Sequence, residues 1–389
     1  MSKDVNKSQR LCIYITYNKE HKVKEYMGYM LKALKECATK LYVVCNYPEI
    51  LDGYDYISPY ADFVFYRENI GYDAGAYKDA LCTLIGWDTV YEYDELILVN
   101  DSFLGPFWDL TGYFTLMREK KWDYWGMTRQ FSGVLEPLGY KYRPHVQSYF
   151  LVLSKKVFKS FPFRNFWEKF TYPKTFDEAI LNFELKFNEY LEDNGFISMT
   201  LTDVEGATFK ENEIAFLLYP YELVKDLRIP ILKKNSVLIH NKGFANALQA
   251  IAFIEDQNLY PKNLLWELVD SQFCIGDYSL GNVKNLEQFY VQYNKIYIYG
   301  AGVCGKNLAL YFEIKGWKQN GILVSDKAGQ DIECTVLEEA EIDDQTGIII
   351  SVIRKAVSEE IVKYIETKTN CKREQLFIIY ECRATGHLK

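Results

Sequence analysis

The sequence has no C-x-x-C pair: its nine cysteines, at 12, 37, 45, 82, 274, 304, 334, 371 and 382, are odd in number and scattered. That spacing excludes a zinc ribbon and a dithiol redox site, and leaves the thiols as reduced, small apolar fillers. There is no stretch approaching ~18 uninterrupted apolar residues, and the polar opening "MSKDVNKSQR" contains no signal-peptide core. The expectation is a cytoplasmic protein, at most peripheral at the inner face of the cell membrane. Positive charge is also in deficit, with 45 Lys and Arg against 53 Asp and Glu and a net charge of -8, which argues against a nucleic-acid partner. No internal repeat or low-complexity segment is present. Aromatic residues are plentiful, with 32 Tyr and 24 Phe; they suit a carbohydrate surface, but core filling accounts for most of them.

At 389 residues the chain exceeds what one core usually organises, so two cores are expected. Residues 11 to 130 alternate strand and helix signals: "LCIYITY", the amphipathic "VKEYMGYMLKALKEC", "LYVVC", "FVFY" and "ELILV". This is a βαβ pattern, which predicts an α/β fold with a mostly parallel sheet and ligands at the carboxyl ends of its strands. A strand in "SYFLVL" and a helix from about Phe176 to Asp193, stopped by Asn194-Gly195, follow. Residues 243–292 read as helical pieces of a connector. At 295 a fresh strand, turn and helix begin a small Rossmann-like βα domain. The expected division is therefore 1–242, 243–292 and 293–389.

Polar residues just past strand ends are the candidates for chemistry. The first strand ends in Thr16-Tyr17-Asn18, a fit for a base or ribose or simply a loop cap. "YRENIGYDAGAYKDAL", residues 66–81, turns a strand into a helix through small residues. It matches neither a Walker loop nor G-x-G-x-x-G. Asp73 reads as the N-cap, and Gly71, Ala74, Gly75 and Ala76 leave room for something to approach the backbone. "ELILV" runs into Asn100-Asp101-Ser102; an acid at the tip of a central strand suits Mg²⁺ or Mn²⁺ held against a diphosphate.

Thr175 and Glu178 form a T-x-x-E capping box. Glu184 lies beside Phe183 and Phe187 on the core-facing stripe of the same helix. There, desolvation raises a carboxylate toward the range of a general base, or a partner neutralises it. His240 and Lys242 form a His-x-Lys pair that could meet a metal or phosphate; His145 is open to either a structural or a functional reading. Gly300, Gly302 and Gly305 complete a G-x-G-x-x-G directly after "KIYIY", and Asp326 follows the next strand, where a ribose-binding acid would sit.

Together "RENIGYDAGAYKDAL", "DELILVNDSFLGPF" and "VQSYFLVLSKKVF", in this order, resemble the rhamnan synthesis protein F family of bacterial glycosyltransferases over roughly residues 10–270. The resemblance implies a GT-A-like nucleotide-sugar fold and a dTDP-L-rhamnose donor. It also implies transfer to a cell-surface polysaccharide, usually lipid-linked. Carried over, Tyr17 and Asn18 lie near base and ribose; Asn69, Gly71, Asp73 and Lys78 lie near sugar and diphosphate; Asn100 and Ser102 flank the metal-binding Asp101. The usual Asp-x-Asp appears here as Asn-Asp-Ser. Glu184 takes the place of the base in an inverting single displacement, with His240 or Lys242 offsetting leaving-group charge. The small C-terminal domain resembles nucleotide-binding domains appended to polysaccharide-biosynthesis proteins. Two other readings stand beside this one: a non-catalytic sugar-nucleotide-binding scaffold, and a NAD-dependent sugar-nucleotide enzyme centred on Gly300 to Gly305.

Overall fold

The computed structural model describes residues 8–136, 138–210, 213–277 and 282–384; the opening residues and the Cys382 side chain fall outside it. Seven strands make the main sheet: β1 (Arg10–Thr16), β2 (Lys40–Cys45), β3 (Phe63–Tyr66), β4 (Glu95–Asn100), β5 (Tyr124–Gly126), β6 (Phe150–Ser154) and β7 (Ser198–Thr200). Their spatial order is β7-β5-β6-β4-β1-β2-β3. Every neighbouring pair is parallel except those of β6, which runs antiparallel to both β4 and β5. The α/β class and the mostly parallel sheet are as expected.

Strand alternation sorts side chains onto two covered faces, which is why these strands read as continuous apolar runs. On one face Cys12, Tyr14, Val43, Ile97, Val99 and Val152 pack against Met27, Leu31 and Leu34 of the helix Glu25–Cys37. On the other, Leu11, Ile13, Leu96, Leu98, Leu151 and Leu153 pack against Ala74, Tyr77, Phe163, Trp167, Phe183 and Phe187. The last four rings contact one another at centroid separations of 5.4 to 6.2 Å, in edge-on and tilted arrangements. Much of the aromatic surplus is thus core, as the plainer reading held.

The helix expected over 176–193 forms in three pieces, Phe176–Ala179, a π-helical Ile180–Leu185, and Lys186–Asp193. Thr175 caps it by accepting from the Glu178 amide, and Glu178 reaches back to the Lys174 amide. The helix after Gly71 begins at Tyr72, earlier than expected. Gly71, in the left-handed region at φ 78°, is its cap residue, so Asp73 falls within the first turn instead of capping it.

The chain divides into two compact units, and the division differs from the one expected. The first runs to Lys233 and takes in Ala252–Pro261; the second comprises Lys234–Ile251 and the described residues from Lys262 on. The helices Phe244–Asp256 and Lys262–Asp270 bury their apolar faces: Phe244, Ala247, Ile251, Ile254, Leu265 and Val269 have essentially no exposed surface. The second unit carries a parallel sheet of β8 (Lys295–Tyr299), β9 (Ile322–Val324), β10 (Thr335–Val336), β11 (Thr346–Ile350) and β12 (Leu376–Ile378), in the order β10-β9-β8-β11-β12. The chain direction across the sheet reverses between β8 and β11, which is a topological switch point. Among the described residues no helix is long and apolar enough to cross a membrane.

The glycines after β8 differ in what they tolerate. A Cβ on Gly305 would lie 1.8 Å from the Gly300 carbonyl oxygen, whereas one on Gly302 would meet nothing within 4 Å. Gly305→Ala is therefore expected to cost about 2 kcal/mol or more in thermal or urea unfolding, and Gly302→Ala less than about 1 kcal/mol. Equal tolerance at both positions would contradict this close turn-to-helix packing.

Candidate functional site

Because β6 runs antiparallel to β4, the carboxyl end of β4 and the residues entering β6 share one edge. The Asn100 amide donates to the Tyr149 carbonyl at 3.1 Å, sealing that junction. Asp101 follows at the strand tip, and its Oδ2 accepts from Thr16 Oγ1 at 2.9 Å and, more weakly, from the Tyr17 amide at 3.4 Å. Asn100 bridges its neighbours: Nδ2 donates to Asp73 Oδ2 at 2.8 Å, and Oδ1 accepts from the Ser102 amide and hydroxyl at 3.2 and 2.5 Å. The short strand Leu232–Lys233 pairs with Phe103–Leu104 and brings Lys233 Nζ to Ser102 Oγ at 2.5 Å. One chain of contacts thus runs Lys233, Ser102, Asn100, Asp73. Asp73 also accepts from the Ala74 amide at 2.9 Å. Burial raises the Asp73 pKa; its bonds to Asn100 and Ala74 pull the other way, the Glu184 charge adds to the rise, and Lys233 reduces it.

Glu184 stands in the π-helical segment, a kind of distortion often found at functional sites. Its Oε2 accepts from the Ser148 amide at 2.9 Å and the Ser148 hydroxyl at 2.6 Å. His145 Nε2 lies 3.6 Å from Oε1, an ion-pair separation too long for a hydrogen bond. His145 Nδ1 lies 3.0 Å from the Arg143 carbonyl and donates to it, which fixes the orientation of the ring. Nε2 is buried with no hydrogen-bond partner among the described residues. Burial alone would raise the Glu184 pKa, as expected from the sequence, but His145 and the two Ser148 donors outweigh it and bring the value down to about 2. The paired alternative is the one realised. The side chain still shows a fifth of its surface, so solvent or a ligand reaches it. Asn188 locks this arrangement: Oδ1 accepts from the Val146 amide and Tyr124 hydroxyl, and Nδ2 donates to the Val146 and Glu184 carbonyls.

In the small-residue stretch, the close approach to the backbone is made by the protein itself. A Cβ on Gly71 would lie 2.9 Å from the Tyr172 ring, and one on Gly75 would lie 2.2 Å from the Ile70 carbonyl. The Lys78 ammonium donates to the Phe170 and Glu168 carbonyls, at the carboxyl end of the helix Phe161–Lys169, where the helix dipole favours a cation. Arg67 holds the loop, donating to Asn46, Asp79 and the Ile70 carbonyl. The Asn69 carboxamide oxygen is buried with no partner among the described residues. Asn18 bonds the Lys22 amide and carbonyl and so shapes its own loop.

His240 and Lys242 belong to the second unit. Asn307, on the helix Val303–Lys315, donates to the Ile239 and Asn241 carbonyls on either side of His240, which ties that segment to the glycine-loop helix. Gly300 takes φ 114°, Gly305 packs on it, and Gly302 stays open where a phosphate would approach. Asp326, exposed just past β9, accepts from the Ala328 amide at 2.9 Å.

Sequence reading missed Ser148, Asn188 and Lys233, and left His145 open. "HVQS" stands immediately before the β6 run, and its nearness to a strand end was the available signal. Lys233 has no local signal, since only the pairing of two-residue strands brings it to Ser102.

The Glu184 pairing has a pH signature. A carboxylate depressed to about 2 when folded and near ~4.3 when unfolded stabilises the fold above the unfolded value, and that stabilisation is lost as pH falls through the folded one. Glu184→Gln is expected to cost about 1–2 kcal/mol in urea denaturation at pH 7. The gap should shrink steadily from about pH 5 to pH 3; a gap independent of pH would contradict the pairing.

A model of the family described as rhamnan synthesis protein F matches residues 41–299. Virulence protein VirA of Vibrio anguillarum is 30% identical over 164 residues, which are 41% of this chain and 49% of VirA. The uncharacterized protein y4gN of Sinorhizobium fredii is 26% identical over 140 residues, 36% of this chain and 35% of y4gN. The chain therefore spans about half or less of the curated relatives it matches. Two solved structures are similar in part. Core-mannan synthase A from Aspergillus fumigatus, in a Mn/GDP form, has 10% identity and TM-score 0.28 over 51% of this chain and 72% of its own. TarS from S. aureus has 12% identity and TM-score 0.28 over 68% and 82%. The matched family range holds the small-residue turn, the Asn-Asp-Ser tip, the His145 to Tyr149 segment and Glu184, and covers about two thirds of the residues: the chain belongs to the rhamnan synthesis protein F family.

Proposed function

We propose that the chain is a glycosyltransferase acting in polysaccharide synthesis. It takes a sugar from a nucleotide-sugar donor, dTDP-L-rhamnose by the family resemblance, and transfers it to a cell-surface polysaccharide or its lipid-linked precursor with inversion at C1. The observation that supports this best is the meeting, at one sheet edge, of Asp101 with a carboxylate pair whose pKa values are pushed apart, Glu184 down and Asp73 up.

A divalent cation, Mg²⁺ or Mn²⁺, fits at Asp101. Among the described residues no cluster of three His, Cys, Asp or Glu side chains exists, but such hard cations are commonly held by one or two carboxylates with phosphate oxygens and water completing the shell. When bound, the ion supplies positive charge to the diphosphate. Tyr17 and Asn18 border the base and ribose, and Asn69, Gly71, Asp73, Asn100 and Ser102 border the sugar and diphosphate. The acceptor hydroxyl attacks C1 as the bond from C1 to the diphosphate oxygen breaks, and dTDP leaves with that electron pair. A carboxylate with a pKa of about 2 is a weak base toward a free alcohol. It suffices once the attacking oxygen has begun to bond to C1 and its proton has become strongly acidic. Glu184 is thus suited to orient the hydroxyl first and take its proton late. In the second unit, Gly300, Gly302, Gly305 and Asp326 form a nucleotide half-site, supported by the open backbone at Gly302.

Labelled dTDP-L-rhamnose tests the reading. Wild type is expected to release or transfer the sugar with the opposite anomeric configuration, read by NMR, and Glu184→Gln to slow this about 100-fold or more. Asp101→Ala should abolish dependence on added metal. Undiminished turnover in Glu184→Gln would remove the base assignment, and binding without turnover in wild type would favour the scaffold reading.

A further inference from the structure

Lys233 is a buried lysine, only 8% exposed, in a region where burying an ion without a purpose is costly. Its ammonium sits 4.1 Å over the Tyr149 ring and 5.6 Å from the Phe216 ring, with Nζ on Ser102 Oγ. Leu223, Ile229 and Ile231 line the small cavity around it. Two elements fix the position. Antiparallel pairing sets Lys233 opposite Phe103, and that register delivers the side chain to the residue after Asp101. Lys233 also acts electrostatically on Asp73.

The edge that would take a donor diphosphate carries Asp73, Asp101 and Glu184. A diphosphate entering there meets carboxylates, so a fixed cation of the chain, beside any divalent ion at Asp101, favours its binding. We infer that Lys233 is the built-in cation for the donor's diphosphate, presented through Ser102 and Asn100, and that it performs the role the sequence suggested for His240 or Lys242. This inference rests on the glycosyltransferase reading of the same site. The lysine is a positioning residue: it acts on the leaving group through Ser102 and takes part in no proton transfer. Its charge draws the phosphate oxygens toward the Asn100–Ser102 tip, while the aromatic faces of Tyr149 and Phe216 hold the side chain.

Calorimetric titration of the full chain with dTDP and with thymidine tests this. Wild type is expected to bind dTDP more tightly than thymidine. Lys233→Gln should lose about tenfold or more for dTDP, the worth of a hydrogen bond to a charged group, with thymidine affinity unchanged; Lys233→Arg should retain most of it. Should Lys233→Gln fail to fold by circular dichroism, Ser102→Ala keeps every charge and is expected to lose about threefold for dTDP and nothing for thymidine. Wild-type affinity for dTDP in whichever of the two folds overturns the role of Lys233. Wild type binding none of dTDP, UDP or GDP overturns instead the donor-site reading beneath it.

Discussion

The antiparallel entry of β6 beside β4 is the constraint from which the site follows. Had β6 run parallel like its neighbours, the segment before it would lie at the opposite end of the sheet from Asp101. Reversed, it places His145, Ser148 and Tyr149 beside Asn100. Each of these then takes hold of something. Ser148 grips Glu184, Tyr149 offers its ring to Lys233, and His145 faces the far oxygen of Glu184 from a position fixed by its own bond to a carbonyl. Glu184 stands in the π-helical segment Ile180–Leu185, between core residues Phe183 and Phe187, and meets Ser148 and His145 ahead of β6.

Charge at this edge is arranged unevenly. Glu184 is held ionised by donors, Asp73 is pushed toward its neutral form by burial, and Lys233 is kept in place by a hydroxyl and two rings. The Glu184 charge disfavours ionisation of Asp73. Splitting their pKa values relieves that and assigns them different work. One is an anion at any physiological pH, and the other is a hydrogen-bonded member of the Asn100 and Ser102 network.

Much of the fold was legible. Apolar runs bounded by turns marked β1 to β4 and the β8 turn, because a sheet covered on both faces must be apolar throughout. The boundaries of the two compact units have no local signal, since one of them falls within the helix Phe244–Asp256, where the apolar period runs on unbroken. At the site, Asp101 and Glu184 could be singled out because one follows from strand-end position and the other from helical period. Nothing local shows that the Lys78 ammonium bonds the carbonyls at the end of the helix Phe161–Lys169. The glycines at 71 and 75 were read as room for a ligand, and the room is taken by Tyr172 and the Ile70 carbonyl. His145 and Lys233 depend on strand pairings far apart in sequence, and periodicity carries no information about those.

The central claim is that the donor binds at the edge where β4 ends and β6 begins. A crystal structure of the full chain with dTDP tests it most directly. The account predicts diphosphate density against Asn100, Ser102 and Lys233, with the sugar side open toward Glu184. Density at the Gly300 to Gly305 loop alone, with the β4 edge empty, would contradict it.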